Sequence, residues 1–83
     1  MNKDIDYYRS LPYRRIVELT EDESGRYYLA RIAEVRGVGG DGATREEALR
    51  ALDEAFGAYL SVCLEDGLDI PEPAEQRTGA LGR

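Results

Sequence analysis

The sequence predicts an α+β domain in which a three-stranded antiparallel sheet packs against one long amphipathic helix. Two periodicities predict this fold. Apolar residues alternate from Arg26 to Val35, as they do in a strand with one buried face. After Thr44 they recur every three or four positions, as they do in a helix with one buried face. A short N-terminal helix and a short C-terminal strand complete the predicted order of elements.

The N-terminal residues predict the short helix. Residues 4–9 place Ile5 and Tyr8 three positions apart, on one side of a helical turn. Pro12 follows closely, and the residue before a proline is disfavoured in the helical region. We therefore expect the turn to end before Pro12.

The next segments predict the sheet. Residues 13–20 are rich in β-branched and aromatic side chains, which favour a strand. A turn at Gly25 leads to the alternating segment 26–35, so these two strands are expected to form an antiparallel hairpin. Residues 37–42 predict a third strand that is weakened by its glycines.

The long helix is predicted from both of its ends. Thr44 and Glu47 form a Thr-x-x-Glu capping box at its start, and Gly67 is placed to end it in the left-handed conformation. Residues 68–70 then predict a short edge strand. The expected buried stripe of the helix consists of Leu49, Leu52, Phe56, Tyr59, Leu60 and Cys63.

The chain of 83 residues has room for one small domain. We expect an N-terminal helical turn at residues 1–12, the α/β domain at 13–73 and a flexible tail at 74–83. One cysteine cannot form an internal disulfide. Because a small core without disulfides is often supported by a second subunit, the sequence favours a dimer or a tetramer.

The chain is acidic, and its negative charge is concentrated in the second half. The net charge is −6, and residues 41–83 carry ten acidic and four basic residues. A protein that binds a nucleic-acid backbone needs clustered Lys and Arg, so direct nucleic-acid binding is disfavoured. A basic partner protein is favoured instead. No apolar run predicts a membrane span or a signal peptide, and we expect a cytoplasmic protein.

Three glycines match a dinucleotide-binding motif, Gly37-x-Gly39-x-x-Gly42. That motif needs a turn that leads directly from a strand into a helix, with the pyrophosphate at the helix N-terminus. Here Asp41 lies inside the motif, and two glutamates in the first helical turn would repel the ligand. The sequence therefore favours a tight glycine turn that bends the chain into its helix.

Other candidates for catalysis or metal binding are weak. Cys63 falls on the apolar stripe of the helix, and the chain has no histidine to act as a base or a zinc ligand. The carboxylates of Glu21-Asp22-Glu23 and Glu65-Asp66 are expected to be solvated in turns. The sequence thus predicts neither a cofactor nor a metal site.

Tyr27 and Leu29 are candidates for self-association. If Tyr28, Ala30 and Ile32 face the helix, these two side chains project from the opposite face of the sheet. An exposed patch of this kind is typical of an interface. The alternative is burial under the N-terminal turn, with Tyr7, Tyr8 or Tyr13 laid over the patch.

Four segments of the chain share their order and spacing with a known family. They are Tyr7-Tyr8-Arg9-Ser10-Leu11-Pro12-Tyr13, Gly25 with Tyr28-x-Ala30-x-Ile32, Gly37-Val38 with Gly42-x-Thr44-x-Glu46-Glu47-Ala48-Leu49, and Glu65-Asp66-Gly67-x-x-Ile70-Pro71-Glu72-Pro73. Together they resemble the HicB-type antitoxin domain over residues 7–73. One departure is Val35-Arg36-Gly37-Val38, where the family usually has Leu-Pro-Gly-Cys. A second is the larger number of glycines in this loop.

The resemblance implies a partial, degenerate RNase H-like fold and the inhibition of a small basic mRNA-cleaving toxin of the HicA type. Such toxins use a catalytic histidine, so a chain without histidine resembles the inhibitor. Many relatives carry a DNA-binding segment after the Pro-Glu-Pro element. Only ten residues follow Pro73 here, and operator binding by this chain is therefore not expected.

Three hypotheses follow. The first is a non-enzymatic antitoxin whose helix carboxylates, Glu46, Glu47, Asp53 and Glu54, steer the basic toxin, while Tyr27 and Leu29 serve self-association. The second is a solitary oligomeric protein-binding module of the same fold without a toxin. The third is a residual nuclease, which would need three or four carboxylates converging on Mg²⁺. We expect that they do not converge.

Overall fold

The computed structural model describes residues 3–73, and these form two helices and one sheet. The elements are α1 (Ile5–Arg9), β1 (Arg15–Asp22), β2 (Gly25–Ile32), β3 (Val35–Gly42) and α2 (Arg45–Asp66). The three strands are antiparallel and lie in the order β1-β2-β3. The predicted α+β class, the three-stranded sheet and the long helix are confirmed. The predicted tail at 74–83 lies outside the described residues.

The turns of the sheet lie where short side chains and glycine allow them. Between β1 and β2, Asp22 Oδ1 accepts hydrogen bonds from the Ser24 amide at 2.9 Å and from Ser24 Oγ at 2.7 Å, and Gly25 follows with φ +121°. β2 ends at Ile32 because Ala33 and Glu34 form the next turn. The second strand is therefore shorter than the predicted segment 26–35.

β3 contains an insertion relative to β2. Ile32 pairs with Val35, but the adjacent Arg31 pairs with Gly39, so three residues of β3 have no partner on β2. The inserted segment, 36–38, is accommodated by Gly37 at φ +81°, a conformation that residues with a Cβ rarely adopt. As a result Val35 and Val38 are both buried although they lie three positions apart.

The glycines of β3 bring the sheet close to the helix. A Cβ atom on Gly40 would lie 2.8 Å from the carbonyl oxygen of Ala48, and one on Gly42 would lie 2.8 Å from the amide of Ala48. Real Cβ atoms do not approach backbone atoms so closely. The expected tight glycine turn is therefore wrong: these glycines belong to a strand, and Ala43 and Thr44 make the bend into α2.

Both ends of α2 have the predicted caps. Thr44 Oγ1 accepts the amide hydrogen of Glu47 at 3.1 Å, and Glu47 Oε1 accepts that of Ala43 at 2.9 Å. Gly67 ends the helix at φ +69°, and the amide of Leu68 donates to the carbonyl of Cys63 at 2.8 Å. These bonds satisfy backbone groups that a helix end leaves without partners.

The core lies between α2 and one face of the sheet. Tyr13, in the segment before β1, packs edge-on against Phe56 of α2 with ring centroids 5.1 Å apart. Burying one such large side chain stabilises the fold by about 1.5–3 kcal/mol. The core cluster consists of the buried residues Tyr8, Tyr13, Ala30, Ile32, Val35, Val38, Ala48, Leu52, Phe56 and Leu60.

The predicted strand at residues 68–70 is wrong. Residues 68–73 have no regular secondary structure. Instead, the Tyr13 hydroxyl donates a hydrogen bond to the carbonyl of Pro71, and Pro73 is fully buried. Because Pro71 and Pro73 lack an amide hydrogen, the chain after Ile70 is poorly suited to extend a strand, and the Tyr13 side chain holds it instead.

Candidate functional site

α2 carries the four predicted partner-binding carboxylates, and it presents them on two sides. Glu46 and Asp53 are seven residues apart, about two helical turns, and therefore share one side. Glu47 and Glu54 have the same spacing and lie about 100° further around the helix. The structure thus brings these residues together as two pairs and not as one patch.

The first pair lies on the side of α2 that faces β1. Arg15 Nη2 of β1 is 3.1 Å from Asp53 Oδ1, and both side chains remain partly exposed. Pairs of this kind contribute about 0.2–1 kcal/mol. Arg15 therefore partly compensates the charge of Asp53, while Glu46 is exposed on the same side of the helix.

The second pair lies on a different side of α2, where the Cβ of Glu47 packs against Gly42 of β3. Glu47 is engaged through Oε1 in capping the helix, whereas Glu54 is exposed. Arg50 lies between them on the same side, three residues after Glu47 and four before Glu54. This side of α2 consequently carries both signs of charge.

α2 does not lie centrally on the sheet. It packs mainly on β3, less on β2 and least on β1. Leu19 of β1 pairs with Tyr28 and so points to the helix side, yet it is 55% exposed. We call the strip formed by half-buried Val17 and exposed Leu19 the β1 ledge; Glu46 and Asp53 border it on α2.

The reasoning from sequence did not single out Leu19. A signal was present in β3, because Gly40 and Gly42 are two positions apart and therefore lie on one face of a strand. Glycines on the buried face draw the helix toward β3 and leave β1 less covered. The reasoning from sequence predicted the strand at residues 37–42 but did not consider which face its glycines share.

The face of the sheet opposite α2 carries Tyr27 and Leu29, as predicted from the alternation. Leu29 is 39% exposed. Residues that pair across strands share a face, so the register defines this open face as Ile16, Glu18, Thr20, Asp22, Tyr27, Leu29, Arg31, Gly39 and Asp41.

The N-terminal turn does not cover the open face. Within residues 3–73, α1 contacts α2 and none of the strands. Tyr8 and Tyr13 are buried in the core on the helix side, and Tyr7 packs against that core. The alternative in which these tyrosines cover Tyr27 and Leu29 is therefore wrong.

Hydrogen bonds fix one end of the open face. The Tyr27 hydroxyl donates to Asp22 Oδ2 at 3.1 Å, and this bond raises the pKa of Tyr27. The hydrogen bonds from the side chain and the amide of Ser24, together with that from Tyr27, lower the pKa of Asp22. Tyr27 is thus held as a neutral phenol beside a carboxylate.

The dinucleotide motif does not form a phosphate site. Its residues lie in β3, and α2 begins only after Ala43 and Thr44. On the helix side, the space at Gly42 is filled by the backbone of Ala48 and the side chain of Glu47. A pyrophosphate has no room there.

Cys63 is buried among apolar residues, at 4% exposure. Burial, followed by a hydrogen bond with Cys63, raises the pKa of Tyr59 one turn earlier on α2.

Within residues 3–73, no group of three or more His, Cys, Asp or Glu side chains is arranged to hold a metal ion. Neither described helix is long and apolar enough to cross a membrane.

Comparisons with protein-family models, curated proteins and solved structures gave no match to this chain.

Proposed function

We propose that this chain is a non-enzymatic HicB-like antitoxin with a partial RNase H-like fold, which acts in the cytoplasm. It binds a small basic mRNA-cleaving toxin of the HicA type and neutralises it. The proposal starts from the resemblance of residues 7–73 to that family, and the β1 ledge supports it.

The β1 ledge combines features that suit a basic protein. Leu19 offers exposed apolar surface, which is the kind of surface that partners bury. Glu46 and Asp53 border it on α2, and Glu21, two residues after Leu19 on the same face of β1, is exposed. Negative charge around an apolar strip attracts a basic partner and selects against acidic ones.

β1 is also an edge strand. The strand order leaves one side of β1 without a neighbouring strand in the described part of the chain. Edge strands carry backbone groups that can pair with an added strand. A partner is therefore able to use backbone hydrogen bonds along β1 and side-chain contacts with the ledge.

If the toxin binds the β1 ledge through its basic RNA-binding surface, this mode of binding inhibits RNA cleavage by the toxin. The carboxylates of the ledge then occupy the positions of RNA phosphates, and the buried toxin surface no longer reaches mRNA. This mechanism requires no catalytic group in the antitoxin.

Co-expression with the product of the neighbouring open reading frame tests the proposal. We expect that product to be small, basic and toxic when expressed alone, and to co-purify with this chain. RNA cleavage by the isolated partner should stop when this chain is added. A neighbour that is neither small, basic nor toxic would count heavily against the proposal.

A second candidate is a solitary oligomeric protein-binding module of the same fold. The open face favours it, because exposed Leu29 and half-buried Tyr27 suit assembly whether or not a toxin exists. Self-association without any toxic neighbour would select this candidate.

A further inference from the structure

We propose that the open face is the interface between two copies of this chain, related by a two-fold axis that crosses the strands. The proposal does not depend on a toxin partner. It rests on the arrangement of charge and shape on this face, which matches itself under such a rotation.

Two neighbouring rows of side chains cross the centre of the open face. In the first row, Glu18 of β1 pairs with Leu29 of β2, which pairs with Asp41 of β3. In the second row, Ile16 pairs with Arg31, which pairs with Gly39. The first row carries two negative charges around a leucine, and the second carries one positive charge between an isoleucine and a glycine.

The glycine of the second row leaves a groove. This groove has a volume of about 460 Å³, and its lining includes Leu29, Arg31, Gly39 and Asp41. Leu29 beside it is 39% exposed. The face therefore carries an exposed apolar side chain next to a space able to receive one.

The two-fold axis lies between the two open faces, runs perpendicular to the strands and passes between the two rows. It therefore places the first row of each copy on the second row of its partner. Leu29 then lies on the aliphatic part of the partner's Arg31, at the side of the groove. Asp41 lies over the partner's Gly39, where no side chain is in the way. The guanidinium of each Arg31 reaches the partner's Asp41 and Glu18.

Within one chain, Arg31 is only weakly paired. Its Nη2 lies 3.8 Å from Glu18 Oε2, and both side chains are more than half exposed. The guanidinium can therefore turn toward a partner without breaking a buried bond. In an isologous interface each such contact occurs twice, so the effect of one residue is doubled.

The size of the face limits the strength of the dimer. Strands of eight residues in a three-stranded sheet give a face of roughly 14 by 27 Å, or about 400 Å² of flat area. Stable interfaces bury about 800 Å² on each partner. We therefore expect a dimer in the micromolar range that depends on protein concentration.

Sedimentation velocity over a range of concentrations tests the proposal. The chain should change from one copy to two as its concentration increases. Arg31→Asp should raise the dimer Kd by about tenfold or more, because it sets like charges against each other twice. Leu29→Glu should do the same. Circular dichroism shows whether each variant keeps its fold.

Two further variants separate this face from the rest of the surface. Leu19→Glu places the same charge on the helix side of β1, and it should leave the dimer Kd within about threefold. Arg31→Asp combined with Asp41→Arg should recover much of the affinity lost in the single variant, because the pairing is restored with the signs exchanged.

The proposal is overturned by any of three results. The first is a chain that stays monomeric at concentrations approaching about 1 mM. The second is a dimer unaffected by Arg31→Asp and Leu29→Glu. The third is a dimer weakened as strongly by Leu19→Glu, because the interface would then lie on the helix side.

Discussion

Gly40 of β3 lies directly against the backbone of Leu52 in α2, with no room for a side chain between them. This contact places the long helix over the third strand. It also explains why the edge of the sheet formed by β1 is the less covered one. The position of the β1 ledge is thus a consequence of a glycine on the other side of the sheet.

Gly40→Ala is expected to destabilise the domain by about 1–3 kcal/mol, because a methyl group forces the helix away from the strand. Urea denaturation measures the change. Gly57→Ala is the control, since its Cβ would meet only the Arg9 side chain, at 3.1 Å. Within a helix that change should be neutral or stabilising, by up to about 1 kcal/mol. Equal effects of the two substitutions would contradict the close packing at Gly40.

Thr44→Ala is expected to cost about 1 kcal/mol of stability, because the amide of Glu47 loses its side-chain acceptor. Thr44→Asp should retain most of the stability, since a carboxylate accepts the same hydrogen bond. Thermal unfolding followed by circular dichroism measures both. Ser61→Ala, at an exposed position of the same helix, is the control and should change little. An unchanged Thr44→Ala variant would show that the cap does not stabilise α2.

Alkaline pH is expected to destabilise the domain through Tyr13. Burial, followed by the charge of Glu72, raises the pKa of Tyr13 well above that of a free tyrosine. Above about pH 10 the unfolded chain loses this proton while the folded chain keeps it, so stability falls as the pH rises. Absorbance of the ionised phenols near 295 nm, measured beside circular dichroism, should show a phenol whose ionisation coincides with unfolding and is lost in Tyr13→Phe.

Tyr13→Phe separates the two contributions of that side chain. It should lower stability at neutral pH by about 1 kcal/mol, because the carbonyl of Pro71 loses its donor. Its further loss of stability above about pH 10 should be smaller than that of the wild type. Tyr28→Phe, in the strand β2, is the control. A wild-type alkaline profile in the Tyr13→Phe variant would contradict the assignment.

Glu46→Lys is expected to slow association with a basic partner by about tenfold at low salt, with a smaller effect at high salt, because screening removes the attraction. Glu65→Lys makes the same change of charge near the other end of α2 and should have a smaller effect. Stopped-flow or surface-binding kinetics with the co-expressed partner measure both. Equal effects would indicate that net charge, and not the β1 ledge, governs the encounter.

The features that sequence predicted correctly are local. Alternation along β2 and the cap at Thr44 depend on residues within a few positions of each other. The turn at Ala33 and Glu34 and the insertion at residues 36–38 were not predicted, since both depend on the register between β2 and β3, in which Ile32 pairs with Val35 and Arg31 with Gly39. The strand expected at 68–70 is absent, and the chain directly after it is held at Pro71 by Tyr13, which is far away in sequence.

Of the candidate site, too, only the local features could be predicted from the sequence. Helical spacing gives the two carboxylate pairs on α2, and alternation gives the face that holds Tyr27 and Leu29. The ion pair of Asp53 with Arg15 and the exposure of Leu19 depend on how the helix sits on the sheet. The position of α2 depends on contacts between residues far apart in sequence, because the helix lies over the strand that it can approach most closely.

The helix α2 covers only one face of the sheet, so the β1 ledge and the open face are separate surfaces on opposite sides of the sheet. Two copies joined through their open faces would present two ledges in opposite directions, giving a bivalent particle. A partner that is itself oligomeric would then gain avidity without any new contact. Valency and intrinsic affinity would be set by different residues, so an engineer or natural selection could adjust one and leave the other unchanged.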